Sequence, residues 1–134
     1  RLNEREGAKM DKKKILIIDD EEGFTKMVKL NLEETGEYTV KIENNSNNAF
    51  MAAKEFKPDL ILLDIMMPGK DGGDVASELK TDNAIKDIPV VFLTAIIRED
   101  EMDSQGGSIG GHPFIAKPVS AEDLIKHIKE HIAK

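Results

Sequence analysis

The chain contains no cysteine, so disulfides, thiol nucleophiles and Cys-ligated zinc are excluded by inventory. No apolar run approaches the roughly 20 residues that a bilayer-spanning helix needs. The opening residues, RLNEREGAKM, likewise hold no apolar signal core. Positive charge is in deficit: 19 Lys and Arg stand against 26 Asp and Glu, for a net charge of −7. Such a surface repels a phosphate backbone or an anionic bilayer, so neither direct nucleic-acid binding nor membrane binding is expected. A metal ion or a basic protein partner is easier to accommodate, in a soluble, cytoplasmic protein.

What is present suits one domain. With 134 residues and 40% hydrophobic content, the chain can bury a substantial core. Residues 1–12 are polar and aperiodic and read as a disordered lead or linker; residues 13–134 read as the domain. Five short apolar runs follow: KILII at 14–18, YTVKI at 38–42, LILL at 60–63, VVFL at 90–93 and FIA at 114–116. They are apolar at successive positions, as in strands covered on both faces of a parallel sheet.

Helical patterns alternate with these runs. Phe24, Met27, Val28 and Leu32 recur at spacings of three and four, and Gly36 stands where a C-terminal cap belongs. Phe50, Ala53 and Phe56 form a second stripe, with ENNSNN as its cap and Pro58 as its stop. Val75 and Leu79 mark a third helix. Leu124, Ile125, Ile128 and Ile132 mark the last, opened by Ser120 with Glu122 and Asp123 at its positive end. Five strands alternating with helices imply right-handed crossovers and an α/β, doubly wound, five-stranded parallel sheet. The weak place is residues 98–111, where four glycines fall between positions 106 and 111. Each costs about 1 kcal/mol in a helix interior, so a shortened or irregular fourth helix over 98–105 and a loop after it are expected.

The chemistry sits at the strand ends. The stretch ILIIDDEEGF, residues 15–24, runs four branched apolar residues into four consecutive carboxylates. At about 4 Å and an effective dielectric near 20, two like charges cost roughly 4 kcal/mol, so Asp19 and Asp20 need solvent or a cation. In an open parallel sheet, ligands bind beyond the carboxyl ends of the strands. Asp64 follows the third strand, Thr94 the fourth and Lys117 the fifth. Three carboxylates, a hydroxyl and an ammonium at one edge suit a hard divalent cation such as Mg²⁺ with a phosphoryl group beside it.

The acidic pair in IIDDEE, the segment PDLILLDIMMPGKDG, the LTA that ends the fourth strand and the FIAKP of the fifth occur in this order and spacing. Together they make the sequence, from about residue 13 to 133, resemble the receiver domain of two-component response regulators, in the manner of stand-alone chemotaxis regulators. The resemblance implies a flavodoxin-like sheet of order 2-1-3-4-5. It implies that Asp64 is the phosphoacceptor, and that Asp19, Asp20, Asp64 and the Met66 backbone carbonyl hold Mg²⁺. Lys117 would pair with phosphoryl oxygens and Thr94 would bond to one of them, turning inward so that Phe114 follows as a switch residue. Phe114 lacks the hydroxyl of the commoner tyrosine. Pro118 matches a Lys-Pro step whose peptide bond is often cis.

Met66 and Ile96 hold the two places that flank the path of the hydrolytic water in the family. Both are bulky and apolar, which implies slow self-dephosphorylation. The implied function is a phosphoacceptor switch fed by a sensor histidine kinase or a histidine phosphotransfer protein. It catalyses only its own phosphorylation and dephosphorylation, and it signals to a downstream protein target by contact. A homodimer through the face of the fourth helix, fifth strand and fifth helix is a further expectation. The chain ends just after the last helix, which leaves a stand-alone regulator and a receiver cut from a longer protein both open.

Two rivals follow from the same residues. A Mg²⁺-dependent phosphohydrolase of the haloacid dehalogenase type also uses a strand-end Asp, but favours DxD over DD and needs a longer insertion. A degenerate receiver, serving only as an interaction module, would not need the complete acidic, Thr and Lys set. Other residues have plainer readings. Glu21 and Glu22 read as solvated acids of the first helical turn, Lys12, Lys13 and Lys14 as a solubilising lead into the first strand, and Met66 and Met67 as space-filling. His127 and His131, spaced i, i+4, are a candidate transition-metal pair, but with no acidic third ligand evident they read as exposed helix residues.

Overall fold

The apolar runs pair side by side, and the three at 15–18, 60–63 and 90–93 bury both their faces. The computed structural model describes residues 12–95, 108–109, 112–117 and 119–132. In chain order its elements are β1 (Lys13–Ile18), α1 (Glu22–Glu34), β2 (Tyr38–Glu43), a 3-10 turn (Ser46–Asn48) and α2 (Ala49–Phe56). There follow β3 (Leu60–Asp64), α3 (Gly72–Leu79), β4 (Val90–Thr94), β5 (Ser108–Ile109), β6 (His112–Ala116) and α4 (Ala121–His131). The sheet order is β2-β1-β3-β4-β6-β5. Its first five members are parallel throughout, so β6 is the fifth parallel strand of the expected flavodoxin-like 2-1-3-4-5 arrangement. The addition is β5, two residues inside the expected glycine-rich loop, which run antiparallel to the start of β6. In sequence the two stretches are joined by Gly-Gly, a pair favoured in two-residue hairpins. The expected short helix over 98–105 lies outside the described residues.

Alternation along each strand sends side chains to two separate cores. Ile15, Ile17, Leu60, Leu62, Val91 and Leu93 meet Val28 and Leu32 of α1 and Leu124 and Ile128 of α4. Leu16, Ile18, Ile61, Leu63, Val90 and Phe92 meet the alanines of α2 and Val75, Ala76 and Leu79 of α3. Each fully buried Leu or Ile contributes about 1.5–3 kcal/mol, so β1 and β3, sealed on both sides, anchor the sheet. The helical stripes differ in detail from the sequence pattern. On α1 the buried face is Thr25, Val28 and Leu32, while Met27 and Leu30 are exposed. On α2 it is Ala49, Ala52 and Ala53, and Phe50 and Phe56 pack at the margin. Small residues let α2 lie close to the sheet, which carries the aromatics outward.

The termini of the helices follow local chemistry. Gly36 adopts φ +78 just after α1, a left-handed conformation that glycine takes without steric cost. Lys57 is also left-handed, at φ 51, before Pro58, whose ring disfavours a helical residue ahead of it. Asn45 caps the 3-10 turn by accepting from the Asn47 N–H at 2.9 Å. Asp71 accepts from the Asp74 N–H at 2.9 Å and Ser120 from the Asp123 N–H at 3.1 Å, so α3 and α4 begin on side-chain caps. No helix among the described residues is long and apolar enough to cross a membrane.

Candidate functional site

The carboxyl ends of β1, β3, β4 and β6 lie side by side, and the polar residues after the apolar runs are held there by ladder bonds that extend past the strands. The Asp19 N–H donates to the Glu43 carbonyl at 3.1 Å, and the Lys117 N–H to the Thr94 carbonyl at 2.8 Å. Asp64 is the last residue of β3, opposite Leu93, and the next N–H, of Ile65, donates to the Leu93 carbonyl at 3.0 Å. Asp19, Asp64 and Thr94 are buried, whereas Asp20 is exposed. Asp19 Oδ1 accepts from the Glu21 N–H at 2.9 Å, folding the chain back into α1.

Asp19, Asp20 and Asp64 each bring one carboxylate oxygen within 4.8 Å of the others. The Lys117 ammonium stands 2.6 Å from Asp19 Oδ2, 2.6 Å from Glu21 Oε1 and 3.9 Å from Asp64 Oδ1. It also lies 4.5 Å from the centre of the Phe24 ring, a cation–π contact. Burial works against the charge on Lys117, yet close contact with Asp19 and Glu21 and the nearby Asp64 hold its pKa above the ordinary lysine value. For Asp64, burial and then repulsion from Asp19 outweigh the pull of Lys117 and the Met66 N–H, raising its pKa to about 6. One ammonium is therefore too little for this cluster. Asp19 Oδ2 is buried with no aligned hydrogen-bond donor among the described residues; the ammonium meets it as an ion pair. An all-oxygen donor set with surplus negative charge fits a hard cation of the Mg²⁺ type. Beside it opens a cavity of about 260 Å³ lined by Asp20, Glu21, Asp64, Met66, Ala95 and Lys117, roomy enough for a phosphoryl group.

The structure thus brings Asp19, Asp20, Asp64 and Lys117 together, with Thr94 at the end of β4 between β3 and β6. The Met66 N–H donates to Asp64 Oδ1 at 3.3 Å, but the Met66 side chain is 58% exposed at the rim, and only Met67 fills space in the core. Phe114 is paired with Phe92 across β4 and β6 and packs against the α2/α3 core, away from the cavity lining. Ile96 and Pro118 lie outside the described residues. Glu21 is exposed, as a solvated acid should be, but it stands just before α1 and not in its first turn, and it is ion-paired with Lys117 across the cavity mouth. Its spacing from Asp19 gave no hint of this, because Lys117 comes from the far end of the chain.

Three supporting residues escaped the sequence reading. Asn44 Nδ2 donates to the Asp19 carbonyl at 2.8 Å and to Thr25 Oγ1 at 3.1 Å, tying β2 to the start of α1. Ser46 Oγ donates to the Pro68 carbonyl at 3.2 Å and accepts from the Lys70 N–H at 3.3 Å, clasping the MPGK loop that follows Asp64. Gly72 allows α3 to begin directly against the end of β3. Its N–H donates to the Ile65 carbonyl at 2.8 Å, and a Cβ there would stand 2.6 Å from the Asp64 carbonyl oxygen and 2.7 Å from Ile65 Cα. The available signal was Asp71, a residue type favoured at helix starts; nothing local shows that Gly72 must lack a side chain.

Comparison with known proteins gives a consistent result. The family model described as the response regulator receiver domain matches residues 15–129. The phosphate regulon transcriptional regulatory protein PhoB of Pseudomonas aeruginosa is 40% identical over 117 residues, 87% of this chain and 50% of that protein. The chain therefore spans about half the length of that curated relative. Among solved structures, chemotaxis protein CheY4 of Vibrio cholerae shares the fold, with a TM-score of 0.77 at 24% identity over 89% of this chain and 98% of that one. The signal receiver domain of a signal transduction histidine kinase from Syntrophus aciditrophicus is 31% identical with a TM-score of 0.73, covering 88% of each chain. The family match runs from β1 into α4, through every strand end that meets at the acidic cleft, and the chain belongs to the response regulator receiver domain family of two-component signalling.

Proposed function

We propose that residues 13–134 work as a phosphoacceptor switch in which the Asp64 carboxylate takes a phosphoryl group from a phosphohistidine on a sensor histidine kinase or a histidine phosphotransfer protein. The observation that carries this reading is the setting of Asp64: a buried carboxylate 3.9 Å from an ammonium that still opens onto a cavity. An Asp64 oxygen attacks phosphorus, the N–P bond of the donor breaks, and the imidazole nitrogen leaves with the electron pair and takes up a proton. Positioning and charge neutralisation are the main requirements of such a transfer. Asp19, Asp20, Asp64 and the Met66 carbonyl would hold Mg²⁺, which when bound offsets charge on the phosphoryl oxygens.

Lys117 then turns from its Glu21 contact toward those oxygens, and Asp19 keeps it at the site. Thr94 donates its hydroxyl to a phosphoryl oxygen. Phe114, on the neighbouring strand and half-buried, follows the Thr94 movement and changes the surface of β6 that a downstream protein or a second copy would read. The nearly two added negative charges bias that two-state surface. The relative of which the match covers half is a transcriptional regulatory protein, so control of an attached or separate output domain is one use of such a surface.

The test is incubation with acetyl phosphate and Mg²⁺, followed by intact mass, beside Asp64→Asn. Gain of one phosphoryl group by the wild type and none by the variant is expected. Failure of the folded wild type to gain mass would overturn the reading and favour a degenerate receiver that acts by contact alone. Steady release of inorganic phosphate from simple phosphate esters would instead favour the phosphohydrolase rival.

A further inference from the structure

The last helix ends in HIKEH, residues 127–131. Helical spacing puts i, i+3 and i+4 on one face, so the acidic third ligand that the histidine pair lacked in the sequence reading is Glu130. One nitrogen from His127, one from His131 and one carboxylate oxygen from Glu130 lie within 4.8 Å of one another. Ligands of a tetrahedral ion with bonds of about 2.1 Å stand roughly 3.4 Å apart, so small side-chain rotations close the set. His127 Nδ1 is 4.0 Å from Glu130 Oε1, beyond hydrogen-bond reach, so these two donors are not committed to each other.

We propose that His127, Glu130 and His131 form a second metal site, separate from the acidic cleft, that takes a borderline transition-metal cation of the Zn²⁺ class. Two imidazoles and one carboxylate are the donors such ions prefer, whereas Mg²⁺ prefers the all-oxygen set at Asp19, Asp20 and Asp64. Position adds to the selectivity. The site occupies the final turn of α4, where unpaired helix carbonyls favour positive charge, on a chain of net charge −7. Two lysines adjoin the set in sequence, Lys126 and Lys129, and Lys129 is drawn toward Glu37 at 3.7 Å. Three protein donors leave a fourth position for water or for one donor from a partner. The remaining histidine, His112, is half-buried in β6 and stacks edge-on against Phe92, with ring centres 5.3 Å apart, and takes no part.

The test uses the full chain without a polyhistidine tag, in saturating Mg²⁺, titrated with Zn²⁺ in competition with a chromophoric chelator. A single equivalent of Zn²⁺ is expected to bind the wild type, with affinity falling by roughly tenfold or more in His127→Gln and in His131→Gln. In imidazole nitrogen NMR spectra the His127 and His131 signals should shift on Zn²⁺ addition and the His112 signals should stay. Both substituted side chains are at least partly exposed, so circular dichroism should show the single and double variants folded. Equal Zn²⁺ affinity and stoichiometry in the folded double variant would overturn the proposal, as would zinc-induced shifts at all three histidines alike. Because acetyl phosphate labelling of Asp64 reads a different site, its success or failure leaves this result independent.

Discussion

Asp64 carries the sharpest conflict at the scale of single residues. Its pKa of about 6 in the folded protein lies above the value near 4 of an unfolded chain. Between those values the native state keeps a proton that the unfolded state has released, so stability is full below about pH 4 and falls as pH rises toward 6. Asp64→Asn removes the conflict. In metal-free buffer the variant is expected to gain about 1–2 kcal/mol over the wild type at pH 7, after allowance for solvent screening, and nothing near pH 4. Urea denaturation of both proteins across that range checks it; a constant difference would contradict the assignment.

Met66 supports a second expectation at this scale. Its side chain stands at the rim of the cavity with no polar group to orient water, so the phosphorylated wild type should hold its phosphoryl group for minutes or longer in Mg²⁺ buffer. Met66→Asn should shorten that lifetime, followed by phosphate release, and a wild-type lifetime of seconds would dismiss the idea. The gathering of Asp19, Asp64, Thr94 and Lys117 at strand ends was open to a sequence reading because each stands directly after a run of apolar residues. The Glu21 contact was not, since the position of Lys117 across the cleft depends on β6 being docked beside β4.

At the scale of elements, the junction of β3 and α3 is the most constrained. A Cβ on Gly72 would press on the Asp64 carbonyl oxygen and Ile65 Cα at under 3 Å, and both are backbone atoms that cannot turn aside. Gly72→Ala is therefore expected to destabilise the fold by about 2–3 kcal/mol, read as a lowered urea midpoint. It should also slow acetyl phosphate labelling, because relief of the clash moves the residue that carries the nucleophile. An alanine variant with wild-type stability would show that α3 can draw back freely.

The five parallel strands were readable to within two residues, most clearly β1, β3 and β4, where burial on both faces leaves a continuous apolar run; β5 was not. The helix faces were less so. Met27 shares the three-and-four spacing of Phe24 and Val28 yet is exposed, and Thr25 is buried in its place, its hydroxyl bonded to the Glu22 carbonyl at 3.0 Å and to Asn44. A threonine whose hydroxyl is satisfied locally is a good buried residue, and composition alone does not reveal that the bond is made.

At the scale of the whole molecule, the parallel strands gather their carboxyl ends, with their acids, at one edge of an already acidic protein. A divalent cation bound there stabilises the native state by mass action, by about 2.7 kcal/mol at a hundredfold excess over its dissociation constant. Mg²⁺ is expected to raise the thermal midpoint of the wild type and to have little effect on Asp20→Asn, whose exposed position spares the fold. Calorimetry with Mg²⁺ and with EDTA distinguishes the two; an equal response in both proteins would remove Asp20 from the site.

The sequence by itself determined the alternating strands and helices, the two-faced burial of the central strands, the helix cap at Ser120, a capping residue within ENNSNN, and the edge at which the polar residues collect. These are local properties: periodicity, turn chemistry and the residue that follows a strand. Glu130 was also within reach of helical spacing alone. Only the tertiary structure decided that Lys117 is shared among Asp19, Glu21 and Asp64, that Asn44 braces Asp19, that Gly72 must lack a side chain, and which face of α1 turns inward. Each of those depends on distances of a few ångströms between elements far apart in the chain, and such distances are set by how the layers pack, not by any one segment.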